Sequence, residues 1–406
     1  MRGCMPLRWI RSGSGTLLAA LTVAGALALA FGLTRVAEFG AGWYLAATHR
    51  NAGLIWGPDS HVEHATGEFS YRVQVNNLGF RDRDFSVHPQ RGVRRVVALG
   101  DSFTYGWGVD ANESWPKVLE RELERVGIVT EIANLGAPGA GPRQYADLAE
   151  RAIPLLKPEL VVVGVLQADD LWQAAEASTE HHRARPRGAV QAFRAYYPNL
   201  MQLASPEGAA RLEVTQDQLQ ATWKKQVSDF LTHTTPEERV RYEALSNDVR
   251  EAYLAGVLNP GLLYMALRHN RFLIDTCDWG RKTRTGIAAM GSEFARISAV
   301  AKRAQARVLV VPIPYRAYVS LADSAQMRKL GFAVEDQMVG WTAPDEAIGA
   351  ACRAAGIEMA TVTPAFRERA QAQSLYFPMD GHLNAKGQAA FAELAAAVVR
   401  VRLNNP

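Results

Sequence analysis

The sequence predicts an α/β protein built on a parallel sheet covered by helices on both faces, with an apolar helix ahead of it and a helical insertion inside it. Three observations carry that prediction. From residue 94 onward, short apolar runs alternate with helix-like segments, the pattern of successive strand–helix–strand units. The alternation stops between residues 172 and 290, where charge and apolar residues recur at helical spacing and no strand is evident. Residues 15–37 are almost wholly apolar. The expected organisation is therefore an N-terminal segment (1–14), an apolar helix (15–37), an extension (38–93), and a main domain (94–402) interrupted by the insertion at 172–290.

At the N-terminus, Arg2, Arg8 and Arg11 precede the run from Thr16 to Leu33. A run of ~18 apolar residues is long enough for one membrane span, and its positive flank is expected on the cytoplasmic side. Everything after about residue 38 is then extracytoplasmic. The alternative is a cleaved signal peptide and a secreted product, because Ala26-Leu27-Ala28 and Ala28-Leu29-Ala30 both fit a small-x-small cleavage pattern.

In the extension, Phe69 to Val75 alternates as a half-exposed strand does, and Asn76-Asn77-Leu78-Gly79 reads as a turn. Main-domain strands are expected at Arg95–Leu99, Val129–Ala133, Leu160–Val165, Val308–Ile313 and Ile357–Val362. Between the first two lies a helix with Ser114 as N-cap, Pro116 in its first turn, Gly127 beyond its end and an apolar stripe of Val118, Leu119, Leu123 and Val126. Within the insertion, Gln218–Leu231 and Glu237–Leu254 are helical, and Arg183–Gly188 is an exposed loop. The insertion is either a scaffold or a cap over a site; insertions at strand C-termini usually face one, which favours the cap.

Composition removes several function classes. With 406 residues, 48% hydrophobic and 21% charged, the chain is an ordinary globular protein rather than a disordered one. A net charge of +4 without a basic, aromatic-interleaved patch gives no case for nucleic acid. Of three cysteines, Cys4 precedes the apolar helix, while Cys277 and Cys352 would share one compartment, either bridged or as two separate thiols.

The chemistry concentrates where strands end. Gly100-Asp101-Ser102-Phe103-Thr104-Tyr105-Gly106 follows the first expected strand, so Ser102 sits on a tight turn at the sheet's carboxyl edge and is the candidate nucleophile. After the second comes Asn134-Leu135-Gly136-Ala137-Pro138-Gly139, whose glycines can turn a backbone N–H toward an anion. After the third comes Gln167-Ala168-Asp169-Asp170, and before the last helix Asp380-Gly381-His382. His382 is the candidate base and Asp380 the group that orients it. Trp107 is either a pocket wall or an ordinary packed aromatic. His61, Glu63 and His64, and His181 with His182, read as exposed loop residues without the partner segments a metal site needs, which weighs against a metal-dependent phosphoesterase.

In this order the blocks resemble those of the SGNH (GDSL-type) hydrolases: Gly100-Asp101-Ser102 the nucleophile block, Asn134–Gly139 the oxyanion glycine block, Asp380-Gly381-His382 the terminal dyad. The resemblance implies a three-layer, flavodoxin-like, doubly wound parallel sheet. It also implies hydrolysis or transfer of ester-linked acyl groups by a Ser102–His382–Asp380 triad, with no metal or other cofactor. The oxyanion hole would use the backbone N–H groups of Ser102 and Gly139. The family's third block places an asparagine where this chain has Asp169, which donates no hydrogen bond when ionised. Either Gln167 substitutes for it, or Asp169 is protonated, or activity is low. Asn77–Asp82 and the N-terminal apolar segment resemble membrane-anchored bacterial members. These imply an inner-membrane, single-pass protein with a periplasmic domain, and an acylated small molecule or polysaccharide as substrate. O-acetyl is then the expected group, and envelope polysaccharide-assembly proteins are the expected partners. The contrasting reading is a chain that keeps the fold but binds glycan or a partner without turnover.

Overall fold

The computed structural model describes residues 13–47, 54–56, 60–87, 89–183, 197, 200, 213–269 and 280–404. It divides into two units, residues 1–51 with 186–208, and residues 52–185 with 209–406.

In the first unit, Gly13–Ala47 is one continuous helix that runs past the expected boundary at residue 37. Its segment Leu21–Ala41 is long and apolar enough to cross a membrane, a description that a secretory signal also meets. Leu21, Leu27, Leu29 and Phe31 are all exposed.

Among its described residues the second unit holds eight strands: β1 (His61–Ala65), β2 (Ser70–Gln74), β3 (Arg94–Gly100), β4 (Thr130–Gly136), β5 (Leu160–Leu166), β6 (Glu213–Val214), β7 (Arg307–Ile313) and β8 (Glu358–Met359). Five of them form a wholly parallel sheet in the order β4-β3-β5-β7-β8. Counted along the chain this is 2-1-3-4-5, the order of flavodoxin-like doubly wound sheets. The helix Arg281–Arg303 packs against Pro142–Leu156, Asp169–Arg183 and Ala343–Ala355, while Ala385–Asn404 packs against Trp115–Arg125. Helices on both faces explain why β3, β5 and β7 are continuous apolar runs, with Val96–Leu99, Val161–Val163, Val310 and Val311 all fully buried.

The strand ends are in register: Gly100 pairs with Gly136, and Leu166 with Ile313. The loops that follow β3, β4, β5 and β7 therefore leave one edge together. A second, three-stranded sheet in the order β2-β1-β6 is formed by the extension and the start of the insertion. β2 alternates exposed and buried as its sequence predicts, and its inner residues Tyr71 and Val73 cluster with Phe69, Val75 and Tyr105.

Several expectations are corrected. The insertion does contain a strand, β6, which pairs with β1 from far along the chain; two residues are too few to print an alternation. The last sheet strand is only Glu358–Met359, because Thr361 turns its hydroxyl to Asp345 and Pro364 opens the helix Thr363–Ala372 directly afterward. The segment Glu237–Leu254 is two helices, Pro236–Glu243 and Asn247–Leu254, with Ser246 at the N-cap position of the second. Val126 is not part of an apolar stripe: it is the C-cap of its helix and half exposed. His61, Glu63 and His64 lie on β1, with His64 buried, and His181 and His182 belong to the helix Asp169–Arg183. Arg183 ends that helix; residues 184–188, like Cys277, lie outside the described residues. Cys352 is a buried thiol whose pKa burial pushes up to about 12.

Candidate active site

Ser102 is the first residue of a single helical turn, Ser102–Tyr105, directly after β3. Asp101 caps it, its Oδ1 accepting from Phe103 N at 2.9 Å. Gly106 closes it in the left-handed region (φ 82°), a conformation that costs other residues a Cβ clash. The turn lies tight on β4, since a Cβ on Gly136 would sit 2.0 Å from Tyr105 N. From the extension, the fully buried Arg81 donates to the carbonyls of Tyr105 (3.1 Å) and Gly106 (2.8 Å). A cation at the end of a helical turn satisfies carbonyls that have no helical partner.

His382 reaches this turn from the loop before the last helix. Its Nε2 lies 2.7 Å from Ser102 Oγ and its Nδ1 2.5 Å from Asp380 Oδ1. With Nδ1–H donated to the carboxylate, Nε2 is free to accept the serine proton. Asp380 also accepts from Trp107 Nε1 at 3.2 Å. Burial would raise the Asp380 pKa, but the His382 charge and these hydrogen bonds outweigh it and hold the carboxyl below its ordinary range.

The loop carrying this dyad is gripped from outside. Glu68, in the β1–β2 hairpin, accepts from Met379 N (2.8 Å) and Asp380 N (2.7 Å). The buried Arg316, just after β7, donates to Pro378 O at 3.0 Å. Glu68, Arg81 and Arg316 were not anticipated as site residues; each is a lone charge whose partner lies far along the chain, so no periodicity marks it.

Gly139 lines the same chamber as Ser102 and has φ 75°. Among the described residues, neither the Ser102 N–H nor the Gly139 N–H has an intramolecular acceptor. Asp169 also lines the chamber, half-buried, with Oδ2 accepting from Gln173 Nε2 at 2.9 Å. Burial raises its pKa against the opposing Gln173 hydrogen bond and His382 charge. One ligand atom each from Asp101, Asp169 and Asp170 lie within 4.8 Å of one another, and burial raises the pKa of all three.

Gln167 does not take the role expected of it. It is fully buried, and its Nε2 donates to Asp345 (2.5 Å) and Thr363 (3.0 Å) while its Oε1 accepts from Tyr315 N. The intervening Ala168 has φ 67°, a left-handed conformation rare for a residue with a Cβ, and the chain turns there. Gln167 is left in the core while Asp169 lines the chamber.

The chamber measures about 420 Å³. Asn259, Gly261, Leu262, Tyr264 and Met265 of the insertion line it together with Ser102 and His382.

No curated protein sequence matches significantly. Similar solved structures include that of TesA (13% identity, 76% of this chain and 99% of that chain, TM-score 0.35). Another is the psychrotrophic esterase EstA from Pseudoalteromonas sp. (10% identity, 77% and 100%, TM-score 0.36). A third is the acetyl xylan esterase AlAXEase (11% identity, 75% and 99%, TM-score 0.34). The model of the GDSL-like lipase/acylhydrolase family matches residues 98–390, a stretch that contains Ser102, Gly139, Asp169, Asp380 and His382. The chain belongs to the GDSL-like lipase/acylhydrolase family.

Proposed function

We propose that the chain is a serine esterase in which Ser102 is the nucleophile, His382 the general base and then acid, and Asp380 the residue that orients it. One observation carries the reading: the unbroken hydrogen-bonded series from Asp380 through His382 to Ser102 Oγ, at 2.5 and 2.7 Å. Ser102 Oγ attacks the ester carbonyl as its proton passes to His382 Nε2. The tetrahedral oxyanion is held by the Ser102 and Gly139 N–H groups, and collapse expels the alcohol with the proton returned from His382. Water then attacks the acyl-enzyme, His382 takes its proton, and the carboxylic acid leaves with Ser102 restored. A sugar hydroxyl in place of that water makes the same site an O-acyltransferase.

The narrower expectation, an O-acetyl group on extracytoplasmic carbohydrate, has two supports: the resemblance in sequence and the apolar N-terminal helix. A binding protein with little turnover is favoured by one feature, the Asp169 carboxylate beside the expected oxyanion position. A fluorophosphonate serine probe separates the two readings. Labelling of wild type but not of Ser102→Ala supports the esterase, and absence of labelling in both, with an intact fold by circular dichroism, refutes it.

A further inference from the structure

We infer that the chamber beside Ser102 is an acyl subsite for an unbranched chain of medium length, and that the insertion builds its selectivity. The inference rests on the serine-esterase reading above and names the substrate class of that site. Its volume is the first argument. At the ~30 Å³ share that a water molecule occupies in the liquid, about 420 Å³ holds roughly fourteen heavy atoms, whereas an acetyl group has three. Allowing for the carbonyl and part of the leaving alcohol, roughly six to ten acyl carbons remain.

The walls are the second argument. Leu262 and Met265 come from the insertion, and the buried Met327, Leu330 and Phe332 from the segment between β7 and β8. Met265 opens a π-helical turn, Met265–His269, an irregularity that recurs at functional sites. Methionine walls suit a flexible alkyl chain because the unbranched thioether adapts to its occupant.

A buried sugar or acidic acyl group needs hydrogen-bond partners, and several polar atoms on these walls are already bonded within the protein. Asn259 Oδ1 accepts from Gly261 N, Tyr264 Oη donates to Gln226 O, Gln173 Nε2 donates to Asp169, and Arg316 donates to Pro378 O. Around Leu262, Met265, Met327, Leu330 and Phe332 the chamber thus offers hydrocarbon to its occupant, and the polar alcohol half of the ester is left to the mouth.

The test uses the purified full chain in non-ionic detergent with p-nitrophenyl esters of acetate, butyrate, hexanoate, octanoate, decanoate and palmitate. Transfer of each methylene from water predicts kcat/KM rising about threefold to fourfold per carbon, to a maximum between hexanoate and decanoate, then falling at palmitate. Met265→Trp and Leu262→Trp, each narrowing the chamber, lower the octanoate-to-acetate ratio about tenfold or more. Fluorophosphonate labelling of each variant shows that its site is folded. A flat profile, a maximum at acetate, or an unchanged ratio in both labelled variants overturns the inference. Those outcomes leave the esterase reading standing as long as Ser102→Ala abolishes hydrolysis; activity surviving in Ser102→Ala overturns the reading itself.

Discussion

His64 makes a quantitative demand on the stability of this protein. It lies on β1 at 3% exposure, with its ring 4.6 to 5.3 Å from those of Trp107, Phe69, Trp223 and Tyr71. Nδ1 is 3.2 Å from Tyr71 Oη, and Nε2 has no partner. A protonated ring would leave an N–H⁺ facing aromatic carbon. Burial is the main cause; attraction from Asp380 opposes it, repulsion from His382 adds to it, and the pKa falls from 6.5 to about 4.

The unfolded imidazole takes up a proton below pH 6.5, while the folded one stays neutral until about pH 4. The unfolded state therefore binds more protons in that window, and stability falls as pH falls through it. The full shift corresponds to about 3 kcal/mol, of which about 2 kcal/mol is lost between pH 7 and pH 4.5. His64→Phe removes the titration and keeps an aromatic ring in place. Urea unfolding of wild type and His64→Phe, followed by tryptophan fluorescence at pH 7, 6, 5 and 4.5, measures the difference directly. Carboxylate titrations common to both chains cancel. The expected result is a stability gap that shifts by about 2 kcal/mol in favour of the variant between pH 7 and pH 4.5. A gap that stays constant across that range refutes the assignment of a buried neutral histidine.

Three further outcomes follow from the site. Asp169→Asn supplies an amide donor beside the oxyanion position and is expected to raise kcat on a short-chain aryl ester about tenfold or more; a fall as deep as that of Ser102→Ala would mean that the carboxylate itself takes part. Glu68→Gln keeps one acceptor for two backbone N–H groups. The loss of one charge-assisted bond, about 1.5–3 kcal/mol, is expected to lower kcat roughly tenfold to a hundredfold with little change in KM. Full activity in that variant would show that the dyad loop holds itself. Gly136→Ala drives a methyl against Tyr105 N and is expected to cost about 1–3 kcal/mol in urea unfolding and to reduce serine-probe labelling of the folded fraction; wild-type behaviour in both assays contradicts the close packing of β4 on the Ser102 turn.

What was legible in the sequence was whatever repeats or punctuates. The apolar runs of β3, β4, β5 and β7 are visible because both faces of the sheet are buried, so most positions demand hydrocarbon, the buried Arg95 and Asn134 excepted. Ser102, Gly139 and Asp380–His382 are visible because each follows such a run or sits in a glycine-marked loop. Rotamers and long-range partners leave no such trace. Gln167 and Asp169 are two residues apart on one loop, and nothing in their identities says which lines the chamber; the left-handed turn at Ala168 decides it. His64 looked like a surface residue because its burial comes from Trp107 and Trp223, which only tertiary packing brings to β1.

The extension also changes meaning once its contacts are known. Residues 38–93 read as a lead into the domain, yet they supply three charges that hold the catalytic segments by their backbones. Arg81 takes the carbonyls that end the Ser102 turn, Asp82 accepts from Asn134 N at the end of β4, and Glu68 takes the N–H groups before His382. Each is a full charge set against backbone dipoles, where hydrogen bonds are strongest, and backbone contacts do not depend on the identity of the loop residues. The nucleophile and its base come from opposite ends of the main domain, so their 2.7 Å separation depends on two loops being fixed independently. The hairpin and the turn after it touch both. Preorganisation of this kind is what proton transfer between Ser102 and His382 requires, since a displacement of 1 Å at either loop is enough to cost about a hundredfold in rate.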